Sequence, residues 1–162
     1  GGAAFMKLSV VAGWVEFPLK QFVDDARVEI AVLMHPAGQV LGQYGFARSI
    51  DVMTACALVS AIHASSSELG RQLEGKPFSA LHYMGRDRQI FLGAIPAQGS
   101  VLLLLAVFDS ESSLGIVQLF LEEFKARVAA AAPAVSSDQP PALAENFERD
   151  LNHNLAQLFG RA

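Results

Sequence analysis

Charge is scarce in this chain. Asp, Glu, Lys and Arg make up only 17% of its 162 residues, against about a quarter in ordinary soluble domains. The twelve Lys and Arg are scattered and the formal net charge is −4, so no basic run or helical stripe exists to neutralise phosphates. Nucleic acid is therefore excluded as an expected partner. The single cysteine, Cys56, has no internal disulfide partner. No transmembrane segment is expected: the longest apolar run, residues 100–108, falls far short of the roughly 20 residues a bilayer requires. No basic n-region precedes an apolar stretch, so the expected location is cytoplasmic. Gly1 to Phe5, ahead of Met6, read as residue left from expression and carry no structural weight.

What the chain has in excess is apolar side chains, at 52%. That is more than one small core needs, and a dimer or partner interface is the natural place for the surplus. A hairpin is expected from residues 28–34 and 39–45 around His35-Pro-Ala-Gly38, preceded by a short helix over 17–25 with Pro18 in its first turn. Residues 50–70 make the most regular helix, with Gly70 as the residue after its end. Val52, Ala55, Leu58, Val59, Ile62 and Leu69 form its expected inner face. The opposite face, Met53, Ala57, Ser60, Ala61, Ala64 and Ser67, is small and nearly uncharged where a solvated face would carry Lys and Glu. It suits close approach by another protein, and the helix is expected to be buried on both sides.

Three strands follow over 78–84, 88–95 and 100–108, with short turns at 85–87 and 96–99. Ser112 or Ser113 is expected to cap the next helix, which turns Leu114, Val117, Leu121, Phe124 and Val128 inward. The expected organisation is an N-terminal segment (1–16), a domain (17–130), a linker (131–141) and a C-terminal amphipathic helix (142–160). Leu143, Phe147, Leu151, Leu155 and Leu158 form that last helix's docking stripe.

Catalytic readings fare poorly. Cys56 and His63 share one side of the long helix, but two turns hold them roughly 10 Å apart where a nucleophile–base pair needs about 3 Å. His35, His63, His82 and His153 include no pair at metal spacing on one element. The Gly38, Gly42, Gly45 series lies in a hairpin, lacks the Gly-Lys-Ser/Thr ending, and opens no helix that could hold phosphate. Ser65 to Ser67 have no nucleophile-elbow setting. The expectation is no enzyme activity, no cofactor and no metal.

Three segments carry a family resemblance: Val32-Leu-Met-His-Pro-Ala-Gly-Gln-Val-Leu-Gly42, residues 50–61 running on to Leu69-Gly-Arg-Gln-Leu73, and above all Phe108-Asp-Ser-Glu-Ser-Ser-Leu-Gly115. Together with the element order they resemble the Roadblock dynein light-chain family, in particular its bacterial MglB-like branch. The resemblance implies an α+β sandwich: a five-stranded antiparallel sheet, the long helix on one face and the first and third helices on the other. It also implies homodimers that pair the third strand edge to edge, here Phe78, Ala80, His82 and Met84. The two long helices would then form a platform for a small Ras-like GTPase in cell polarity or motility, through Met53, Ala57, Ser60, Ala61, Ala64 and Ser67. Such a regulator would promote GTP hydrolysis by arranging the GTPase switch regions. Arg48, Arg71, Arg86 and Arg88 have no motif for an arginine finger. The contrasting reading is a dimeric scaffold that leaves GTP turnover unchanged. A third is a small-molecule sensor or enzyme using a pocket beneath the long helix.

Overall fold

The computed structural model describes residues 13–138. Eight elements follow in order: α1 (Gly13–Ala26), β1 (Ile30–Met34), β2 (Val40–Gly45), α2 (Val52–Glu74), β3 (Ala80–Met84), β4 (Gln89–Ala97), β5 (Ser100–Phe108) and α3 (Leu114–Asp138). The strands form one antiparallel sheet in the order β2-β1-β5-β4-β3. β1 and β5 lie at its centre and are buried almost throughout, which is why their sequences are continuously apolar. One face carries Ala31, Leu33, Phe91, Ile95, Leu104, Ala106 and Phe108 under α1 and α3. The other carries Ile30, Val32, Met34, Leu92, Leu103, Leu105 and Val107 under α2. The architecture is the α+β sandwich expected from the sequence.

The first helix is longer than its sequence suggests. It begins at Gly13, so Pro18 is its sixth residue and is buried. A proline inside a helix costs about 3 kcal/mol, less near the start where few N–H groups are bonded. The stripe Val15, Pro18, Leu19, Phe22, Val23 and Ala26 is buried over its whole length. Burying Val15 alone contributes about 1.5–3 kcal/mol, enough to carry the helix past the proline. The packed unit thus starts before residue 17. Arg27, with φ +58, closes the helix in the left-handed conformation.

The long helix also shifts. Asp51 is its N-cap, accepting from the backbone N–H of Met53 at 3.1 Å and of Thr54 at 3.4 Å. The Thr54 hydroxyl donates to the same carboxylate at 2.8 Å, and these bonds hold the Asp51 carboxyl below the usual range. The helix ends at Gly75, φ +79, whose N–H donates to the Arg71 carbonyl. Gly70 is therefore inside the helix and does not terminate it. A Cβ there would run into the backbone of Lys76, Pro77 and Phe78, so Gly70 marks where the returning chain crosses close to the helix.

β3 begins at Ala80, which leaves Phe78 ahead of the strand. β4 runs on through Pro96 and Ala97, leaving a two-residue turn at Gln98 and Gly99. Pro96 is tolerated because β3 pairs β4 only as far as Gly93, so no neighbouring strand needs its missing N–H. Ser113 caps α3 by accepting from the Ile116 N–H at 3.2 Å. Ser112 instead donates to the Ala26 carbonyl, satisfying the end of α1. The expected linker does not begin at residue 131. α3 continues to Asp138, because alanines at 129–132 are the strongest helix formers and Ala132 extends the buried stripe Val117, Leu121, Phe124 and Val128.

A two-flanked helix beside a free sheet edge

The rotation of α2 about its axis decides which of its residues another protein could reach. Cys56, Val59, Ser67 and Gly70 face the sheet. Three of these four are small, so the seam that faces the sheet is narrow. At 100° per residue, Met53, Ala57, Ala61 and Ala64 lie to one side of that seam. This is the side of the β1–β2 turn: Ser60, at its margin, donates its hydroxyl to the Pro36 carbonyl, and Gly38 lies against Ser60 and Cys56. Ser66, Ile62, Leu69, Leu73 and, furthest outward, Leu58 lie to the other side. This is the side of β3, where His63 and Ser66 share a small cavity with Phe78, Ser79, Ala80 and Leu81.

Of the six expected platform residues, Met53, Ala57, Ala61 and Ala64 are exposed together, Met53 at 74%. Ser67 is excluded from that face, being only 6% exposed on the sheet seam. Ser60 is half-buried with its hydroxyl committed to Pro36. The sequence reading also placed Leu58 and Leu69 inward, whereas they are 60% and 51% exposed and Leu73 is 68% exposed. The hydrophobic spacing could not show this, because it counts apolar residues, whereas the helix faces the sheet along Cys56, Val59, Ser67 and Gly70. The exposed Leu58, Leu69 and Leu73 are thus interaction candidates that the sequence reading missed, as is Tyr83 on β3.

β3 is an edge strand, hydrogen-bonded only to β4 among the described residues. Ala80 and Met84 are exposed and His82 is half-buried. His82 pairs with Gln89 at 2.7 Å between Nε2 and Oε1, and its ring stacks on Phe108 with centroids 6.2 Å apart. The strand's outer N–H and C=O groups are left for a partner. Phe78 does not share this edge, since it precedes the strand and lines the cavity under α2. The tail stripe Leu143, Phe147, Leu151, Leu155 and Leu158 lies outside the described residues.

The titratable groups here do not form a reactive set. Cys56 is fully buried, and burial pushes its thiol up, away from the reactive thiolate. Burial, assisted by the Arg71 charge, lowers the His63 imidazole and favours its neutral form. Arg71 pairs with Glu68 at 3.1 Å. Arg88 pairs with Glu29 at 3.2 Å and donates to the Arg48 carbonyl at 2.9 Å, tying three loops together at one end of the sheet. Among the described residues, no group of three His, Cys, Asp or Glu side chains is placed to hold a metal ion.

No family model matches the sequence, and no curated protein is significantly similar to it. Solved structures are similar. MglB of Myxococcus xanthus superimposes with a TM-score of 0.68 at 20% identity, over 76% of this chain and 91% of that one. The gliding protein MglB of Thermus thermophilus gives 0.66 at 20% identity, over 76% and 92%. A Roadblock/LC7 domain of Streptomyces avermitilis gives 0.58 at 16% identity, over 69% and 92%. With its sheet order, its long helix alone on one face among the described residues and these superpositions, the chain has the Roadblock fold in the form seen in MglB.

Proposed function

We propose that this chain is an MglB-like, non-catalytic regulator of a small Ras-like GTPase, working in the cytoplasm as a homodimer. The observation that carries the proposal is the unequal make-up of the two exposed flanks of α2. The leucine flank lies beside the free β3 edge, and a second copy related by a two-fold axis would cover both at once. Strand edges would pair through Ala80, His82 and Met84, and the two α2 helices would meet through Leu58, Leu69 and Leu73. Each flank and edge that wastes apolar surface in one chain is then used in the dimer.

The small flank, Met53, Ala57, Ala61 and Ala64, remains outward in such a dimer. Side chains this short allow the backbone of a partner to approach closely, and charge enters this side of the helix only further on, at the Glu68–Arg71 pair. Binding there would shift a GTPase toward a hydrolysis-competent switch arrangement, which requires tighter binding to that state than to the other.

The test is GTP hydrolysis by the cognate Ras-like GTPase with and without this protein. A saturable acceleration that disappears in the double variant Ala57→Arg, Ala61→Arg is expected, with the fold and the dimer intact. Complex formation without any change in turnover would replace the regulator by a scaffold. Absence of binding would overturn both.

A further inference from the structure

At the tip of the β4–β5 hairpin lies an open groove of about 380 Å³, lined by Pro96, Ala97, Gln98, Gly99, Ser100, Val101 and Ala129. None of these carries a charge, and Ala97, opposite Ser100 in the strand pairing, packs on the core under α3. A cavity of about 150 Å³ holds one benzene-sized group, so the groove has room for about two leucine- or phenylalanine-sized side chains. The outer surface of α3 changes character on the way to it. Gln118, Glu122 and Glu123 are exposed along its earlier turns, whereas Ala126, Ala129 and Ala130 are exposed nearest the groove.

We propose that this groove is the docking site of the chain's own C-terminal segment, residues 142–160. The segment begins four residues after the end of α3 at Asp138. Five extended residues reach about 17 Å, and Ala129 is nine residues back along the helix, about 14 Å at 1.5 Å per residue. The chain therefore has the length for Leu143 to reach the groove on a direct return path. In the helix that the sequence predicts, Leu143, Phe147, Leu151, Leu155 and Leu158 form a stripe about 23 Å long. That is more than the groove takes, so Phe147 and Leu151 fill it while the rest of the stripe lies along Ala126 and Ala130. The docking is intramolecular and covers the hairpin tip, on the side of the sheet that carries α3. It leaves the outer flanks of α2 free, and it stands whether or not the GTPase reading holds.

Hydrogen exchange on the full chain tests it. Amides of residues 147–158 should exchange at least roughly tenfold more slowly than in the Ala129→Glu variant, a difference of about 1.4 kcal/mol. The protection should not change on about hundredfold dilution. Leu151→Glu should remove it as well, and thermal unfolding of the domain should stay close to that of the parent in both variants. An unprotected tail would overturn the proposal. So would protection that Ala129→Glu leaves untouched, which would place the tail elsewhere. Protection lost on dilution would mean that a second copy supplies the tail, which also overturns docking within one chain.

Discussion

At the scale of single residues, the backbone makes demands that only certain side chains meet. Gly45 has φ +97, and a Cβ there would collide with the Glu29 carbonyl across the β1–β2 pairing. Gly75 has φ +79 but opens onto free space. Gly45→Ala should therefore lose about 2–4 kcal/mol in chemical denaturation, and Gly75→Ala only about 1; equal losses would refute the steric account. His63 supplies a pH dependence. Its imidazole titrates below its ordinary value in the fold, through burial and then the Arg71 charge. As the pH falls below about 6.5, the unfolded chain takes up a proton that the folded one resists. Its contribution to stability is thus complete above about pH 6.5 and is lost as the pH falls through the folded value. Unfolding curves between about pH 5 and 8 should show that decline, and His63→Gln should flatten it.

Among the elements, α2 carries the surface on which the proposed function rests. Glutamate at Leu69 and Leu73 should weaken self-association at least about tenfold by sedimentation, with the circular dichroism unchanged. Arginine at Ala57 and Ala61 should leave self-association alone. The reverse pattern would mean that the two flanks have been given each other's roles. Much of the fold was legible because it rests on periodicities: strands at full apolar density, the inner stripe of α3, and turns marked by Gly and Pro. Legibility failed where packing overrode local preference. Pro18 argued against a helix that Val15 and Leu19 extend, Gly70 looked like a terminator but is a crossing point, and the alanines after Val128 looked like a linker. The small-residue flank was recognised as unusual, yet Ser67 was assigned to it because composition cannot fix a helix's rotation. That angle follows from contacts with Pro36 and Gly38, far away in sequence.

For the whole molecule, the two faces of the sheet are unlike. The face under α1 and α3 is closed by two helices joined through Phe22 and Phe124 and through the Ser112 bond to Ala26. Among the described residues the face under α2 has one helix, and it leaves the β3 side partly uncovered, with Leu81 and Ile90 only half-buried. If the proposed dimer supplies the missing cover, its midpoint of thermal unfolding should rise with chain concentration; a midpoint independent of concentration would refute it. The division has a consequence for how such a chain can change. The larger of the two cores lies behind the sheet, and on the proposed reading the residues that meet partners are exposed along the two margins of one helix. Partner choice can therefore drift, by exchange of a few surface side chains, in a lineage whose architecture stays fixed.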